Sequence, residues 1–115
     1  MDFDSDESKK NLSEKEAEER AQREVERTQI LQKATDILKK EFEHSPTEVY
    51  LVGSVIRPYA FSSQSDVDVV LKNYKGDRFD LWTKLESQIG REVEVILFET
   101  CRFQEFVEKE GLKVV

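Results

Sequence analysis

Residues 49–54 read VYLVGS and residues 66–70 read DVDVV, and these two stretches decide the fold. The first is a β-branched and aromatic run closed by Gly-Ser, which predicts a strand that leads into a turn. The second alternates acid and valine before it becomes wholly apolar, which predicts another strand. Because side chains alternate along a strand, Asp66 and Asp68 are expected on one face and Val67 on the other.

The upstream sequence predicts a long helix. A one-sided apolar stripe strengthens toward Pro46 and predicts a helix over residues 13–45. At a rise of about 1.5 Å per residue, such a helix is longer than a small domain is wide, so its first half is expected to project. We therefore expect a disordered leader at residues 1–12, the helix, and a folded domain at residues 46–115.

The downstream sequence completes a small α/β (α+β) domain. Apolar residues at helical spacing over 81–89 predict a helix that Gly90 caps. Residues 92–98 return to strand character, a last helix ends at Gly111, and residues 112–115 can add a short edge strand. The prediction is a small mixed sheet of about four strands covered by helices.

Composition excludes several classes of protein. The chain has 115 residues, of which 37% are apolar and 37% charged, and its net charge is −7. One domain fits this length, and no apolar run approaches the roughly 18 residues that a membrane span needs. The single Cys101 and single His44 exclude an internal disulfide and a Cys-rich or His-rich metal site. We expect a cytoplasmic protein, neither membrane-bound nor secreted, without broad nucleic-acid binding because its surface is acidic.

The two strands bring together groups that suit phosphate and metal chemistry. A strand ending in Gly53-Ser54 lets the backbone approach a phosphate, with N–H groups and a hydroxyl as donors. Two carboxylates on one face, Asp66 and Asp68, can bind hard cations, which offset their mutual repulsion. The third predicted strand can bring Glu94 to the same place.

These residues resemble the minimal nucleotidyltransferases of the DNA polymerase beta-like superfamily, especially the small prokaryotic antitoxins of that type. The family signature is an apolar strand, Gly-Ser, about ten residues that include an Arg, then Asp-x-Asp, with a third carboxylate on a later strand. The resemblance covers about residues 30–115, and two departures are Pro58 after the arginine and Glu in place of Asp as the third carboxylate. The matching positions here are Gly53, Ser54, Arg57, Asp66, Asp68 and Glu94.

The resemblance implies a reaction and a role for each of these residues. Asp66, Asp68 and Glu94 would hold two Mg²⁺ ions, with Mn²⁺ as a substitute, while Gly53, Ser54 and Arg57 would hold the phosphates. The reaction would transfer a nucleoside monophosphate, AMP from ATP, to an acceptor hydroxyl. The acceptor would be a tyrosine of a small helical toxin of the HEPN class, so that this chain would be the antitoxin.

Other interpretations stay open at this stage. The chain can instead be a binding module that covers its partner and has a weak nucleotide site, or a homo-oligomeric regulator that senses nucleotide without turnover. Asp66 and Asp68 can be the solvent face of an edge strand, and Arg57 and Glu94 can be ordinary surface residues. The Ala and Val stripe over residues 17–25 is either a solvated helix face or a seam for a partner or a second copy.

Overall fold

The structure, a computed structural model, describes residues 2–115, with side chains from Glu14 onward. The order of elements is the predicted one, which confirms the α/β class. The elements are α1 (Asp2–Glu41), β1 (Glu48–Val52), β2 (Val67–Lys72), α2 (Arg78–Ile89), β3 (Val93–Leu97), α3 (Gln104–Glu110) and β4 (Leu112–Lys113), with 3₁₀ turns at Gly53–Ile56 and Phe98–Thr100.

The four strands form one mixed sheet in the order β3-β2-β1-β4. Strand β1 is antiparallel to β2 and β4, and β2 is parallel to β3. In the register of the sheet, Asp68 lies between Val52 on β1 and Glu94 on β3. The end of β1 and the beginnings of β2 and β3 therefore meet at one end of the sheet.

The two faces of the sheet are covered differently. Helices α1 and α2 pack on one face, where the core contains Leu38, Leu85 and the valines Val67 and Val69. Helix α3 packs on the opposite face over a smaller cluster that includes Val70 and Val107. Since residues of even number in β2 point to the α3 face, Asp68 lies on that face as well.

Helix α1 belongs to the core through its second half. Ala34, Leu38 and Phe42 are almost fully buried against the sheet, whereas the side chains of residues 14–23 are exposed. The helix ends at Glu41 and not at residue 45, because the chain turns there so that Phe42 enters the core. Among the described residues, no helix has both the length and the apolar character to cross a membrane.

The predicted disordered leader at residues 1–12 stays a prediction. The backbone of α1 is helical from Asp2, but Met1 and the side chains of residues 2–13 lie outside the described part of the chain.

One polar turn of α1 is also docked on the domain. The side chain of Arg27 is buried, and its Nη1 donates to the carbonyl of Val55 at 3.1 Å. Its Nε and Nη2 donate to the Glu24 carboxylate at 2.8 to 3.0 Å, and Glu24 also accepts from the backbone N–H of Tyr59 at 3.0 Å. The helix is therefore fixed to the segment after β1 from residue 24 onward, ahead of its first buried apolar residue, Ala34.

The bend after β1 requires glycine. Gly53 has φ +82°, which is in the left-handed region that other residues rarely adopt. A Cβ atom at this position would also collide with the carboxylate of Asp68, which faces it from β2. The positive φ and the close approach of the Asp68 carboxylate are thus two independent reasons for glycine at this position.

Two truncations test the docking of α1. We expect the chain that lacks residues 1–28 to melt at a lower temperature than the chain that lacks residues 1–20. The longer deletion removes the buried Arg27 and leaves the Val55 carbonyl without its donor. Thermal denaturation by circular dichroism measures the difference, and equal melting temperatures would show that this turn does not stabilise the domain.

A substitution of Gly53 tests the close approach. We expect Gly53→Ala to destabilise the chain by about 1–3 kcal/mol through backbone strain, with an added cost from the collision with Asp68. Gly90→Ala is the matched control, because Gly90 has φ +77° but an added Cβ would come no nearer than 3.9 Å to a side chain. Urea denaturation should show the larger loss for Gly53→Ala; equal losses would contradict the collision.

Candidate active site

Three carboxylates gather at the end of the sheet where β2 and β3 begin. Asp68 and Glu94 are neighbours in the parallel register, so their Cα atoms lie about 5 Å apart on the same face of the sheet. Asp66 and Glu94 line one open cleft of about 390 Å³, which Trp82 of α2 borders. The structure thus pairs Glu94 with Asp68 in the sheet and with Asp66 in the cleft, while Asp68 does not line that cleft.

The pKa of Asp68 is clearly shifted from its ordinary value. Burial, the charges of Glu94 and Asp66, and a hydrogen bond with Glu94 together raise the pKa of Asp68 from the ordinary 3.8 to about 6, and burial is the largest of these causes. Each of these causes favours the protonated acid. The carboxylate of Asp68 therefore needs positive charge from some source if it is to be ionised without a cost in stability.

Asp66 lies just outside the strand that was predicted to contain it. The β2 ladder begins at Val67, whose N–H donates to the Glu92 carbonyl at 2.9 Å. Strand β2 therefore covers Val67–Lys72 where the sequence predicts strand from Asp66, because pairing starts only where the neighbouring chain reaches it. Asp66 is exposed and belongs to the end of the preceding loop.

The Gly-Ser segment has the predicted form of a strand that enters a helical turn. Val52 is the last residue of β1, and Gly53–Ile56 is a 3₁₀ turn, with Ser54 half-buried. Because Gly53 faces the Asp68 carboxylate, this turn lies beside the carboxylates. The missing Cβ atom of Gly53 is what allows the Asp68 carboxylate to come so close to the backbone of the turn.

Arg57 forms no ion pair with the carboxylates in the part of the chain that the structure describes. Its guanidinium carbon is 5.6 Å from the centre of the Phe106 ring on α3, a cation–π distance, and the residue is exposed. Its predicted contact with a phosphate stays a prediction, since such a contact requires the side chain to leave Phe106.

The carboxylates fit a cation that is shared with a phosphate ligand. Within the described part of the chain, no three or more acidic, His or Cys side chains form a ready metal cluster, and no ion pair there includes Asp66, Asp68 or Glu94. Mg²⁺ is commonly bound by one or two carboxylates together with substrate phosphates and not by a complete protein cage. Adjacent carboxylates without a basic partner, beside a glycine turn, have the donor chemistry for that kind of binding.

Arg91 is a residue at this site that sequence reasoning missed. Its guanidinium bonds to the carbonyls of Ser62 and Ser65 and to Glu26, and it lies 4.3 Å from the Phe61 ring centre. No sequence motif includes Arg91. The only local signal is its position directly after Gly90, at the start of the segment that leads into β3.

Comparisons with known proteins give the fold. No protein-family model matches the sequence, and no curated protein matches it. A chain of a solved structure described as the crystal structure of the toxin-antitoxin MntA-HepT is similar, with a TM-score of 0.52 and 19% identity over 74% of this chain and 71% of that chain. The described mixed sheet with its three helices therefore has a fold that is found in a toxin–antitoxin complex.

Proposed function

We propose that this chain is a Mg²⁺-dependent nucleotidyltransferase that transfers AMP from ATP to a hydroxyl group of a partner protein. The observation that carries the proposal is the position of Asp68, which lies between Glu94 and the Gly53 turn with its pKa raised to about 6. A half-buried carboxylate, an acidic neighbour and a glycine turn beside them are an arrangement that suits a metal-bound triphosphate.

Each residue has a defined part in this proposal. Asp66 and Asp68 would hold the metal, and Glu94 would share in holding it. The bound metal would supply positive charge where negative charge develops on the phosphate oxygens. The Gly53 turn would bind the terminal phosphates through its backbone, with the Ser54 hydroxyl as a further donor.

Glu94 would act on the acceptor hydroxyl. It is exposed on the edge strand β3, whereas Asp68 is half-buried in the central strand. An acceptor hydroxyl can therefore approach Glu94 from solvent, and this carboxylate would take the proton of the hydroxyl as it attacks phosphorus. Pyrophosphate would leave on the opposite side of the phosphorus atom.

The acceptor is proposed to be a small helical toxin of the HEPN class, with this chain as its antitoxin. The support is the fold, since the similar solved chain belongs to the toxin-antitoxin MntA-HepT structure. The exposed stretch of α1 over residues 14–23 offers a surface for such a partner or for a second copy of the chain.

A binding module with a weak nucleotide site is the second candidate. The contact of Arg57 with the Phe106 ring favours it, because among the described residues this cation forms no ion pair with the carboxylates. In that case the chain would neutralise its partner by covering it, without transfer of nucleotide.

Transfer of labelled nucleotide separates the two candidates. With α-labelled ATP, Mg²⁺ and a small helical protein of the HEPN class as acceptor, we expect Asp68→Asn and Glu94→Gln each to reduce labelling by about 100-fold or more. Glu43→Gln is the matched control, because Glu43 is also an exposed glutamate but follows α1 and does not line the cleft of Asp66 and Glu94.

ATP binding is measured on the same proteins by thermal shift. We expect ATP to raise the melting temperature with Mg²⁺ and to lose this effect in EDTA, since the carboxylates alone repel a triphosphate. Metal-dependent binding without labelling would support the binding module, and equal shifts with and without EDTA would contradict a metal site.

The raised pKa of Asp68 predicts how stability depends on pH without metal. A folded-state pKa of about 6 against an ordinary 3.8 means that the folded chain binds the proton more tightly than the unfolded chain. The contribution of Asp68 to stability is therefore complete below about pH 4 and is lost as the pH rises through about 6. We expect Asp68→Asn to stabilise the metal-free chain at pH 7 but not at pH 4. Urea denaturation in EDTA across this range measures the difference, and a gain that does not vary with pH would contradict the raised pKa.

A further inference from the structure

Arg91 joins three separate parts of the molecule. Its Nε donates to the Ser65 carbonyl at 2.8 Å, its Nη2 donates to the Ser62 carbonyl, and its Nη1 donates to Glu26 of α1 at 2.8 Å. Only 14% of its side chain is exposed. We refer to Arg91 with these three partners as the Arg91 clamp.

The backbone is held on both sides of Asp66, by the clamp before it and by a backbone hydrogen bond after it. Before Asp66, the Ser65 carbonyl is held by the side chain of Arg91; after it, the Val67 N–H is held by the Glu92 carbonyl at 2.9 Å. The segment 65–67 is therefore tied at both ends to residues 91 and 92, which lead directly into β3. The spacing between Asp66 and Glu94 depends on these two attachments.

Lysine could not replace this guanidinium. The planar fork of Arg places several N–H donors in fixed directions, so it can bind two carbonyls and a carboxylate at once. Stacking on the Phe61 ring at 4.3 Å further restricts the plane of the guanidinium. Glu26 adds the only carboxylate of the clamp and so connects the loop to helix α1.

We propose that Arg91 is a positioning residue, which holds Asp66 at the correct distance from Glu94 through the loop at residues 62–65. Glu26 keeps the guanidinium in place from α1. The inference rests on the proposed function for the role of Asp66 and Glu94, but the clamp itself is a property of the described contacts. Partners outside the direct ligands commonly change metal affinity by about 10 to 100-fold when they are removed.

Two alanine variants of α1 separate positioning from general stability. Glu26→Ala removes the 2.8 Å ion pair with Arg91, and Glu41→Ala removes the 2.7 Å ion pair between α1 and Lys84 of α2, far from the carboxylates. Both lose one charged contact of the same helix. We expect similar changes in melting temperature but a roughly 10-fold weaker binding of Mn²⁺ only for Glu26→Ala.

Mn²⁺ alone is the probe, and free Mn²⁺ is measured by electron paramagnetic resonance at a temperature where every variant is folded. Arg91→Lys, which keeps the charge but not the fork, should lose at least as much affinity as Glu26→Ala. Equal Mn²⁺ affinity of Glu26→Ala and Glu41→Ala would overturn the proposal.

A wild-type chain that binds no Mn²⁺ would contradict the proposed function, and hydrogen exchange would then decide the clamp by itself. The amides of Ser65 and Val67 are hydrogen-bonded in the structure. Faster exchange of these amides in Glu26→Ala than in Glu41→Ala supports the clamp, and equal exchange overturns it.

Discussion

The position of Asp68 in the central strand is the constraint on which the site depends. Val67 and Val69, its neighbours in β2, are buried in the core under α1 and α2, so they fix the direction in which the carboxylate points. On the opposite face Asp68 meets Gly53 and Glu94. A slip of one residue in this register would place the acid in the apolar core, which makes the register itself strongly specified.

The parts of the site that follow from local patterns could be predicted from the sequence. The alternation of acid and valine places Asp68 on the face away from the core, and the glycine after a β-branched run predicts the turn at Gly53. These features depend on a period of two and on backbone conformation, which are properties of a few consecutive residues. For the same reason the sequence-based order of helices and strands agrees with the structure.

The parts that depend on long-range contacts could not be predicted. Strand β2 begins at Val67 and not at Asp66 because the N–H of Val67 donates to the carbonyl of Glu92. Glu92 lies 25 positions later in the sequence. The position of Arg57 is decided by Phe106 on α3. Periodicity likewise treats Arg27 as a solvated position, although its bonds to Glu24 and Val55 allow it to be buried. Burial of an arginine is tolerable only when such partners are present, and a sequence does not show partners that are distant along the chain.

The distribution of positive charge explains why no basic side chain in the described part of the chain pairs with the carboxylates. Two arginines with little exposure lie next to the loops of the site, but Arg27 is paired with Glu24 and Arg91 with Glu26, both on α1. These two ion pairs hold the loops in place, so the two positive charges do not neutralise the carboxylates of the site. An ion pair between either arginine and Asp68 would favour the ionised carboxylate and so oppose the rise in the pKa of Asp68. Helix α1 therefore serves the site in two ways: its glutamates orient the arginines that shape the loops, and the same pairing leaves Asp68 with an electrostatic need that a bound cation can meet.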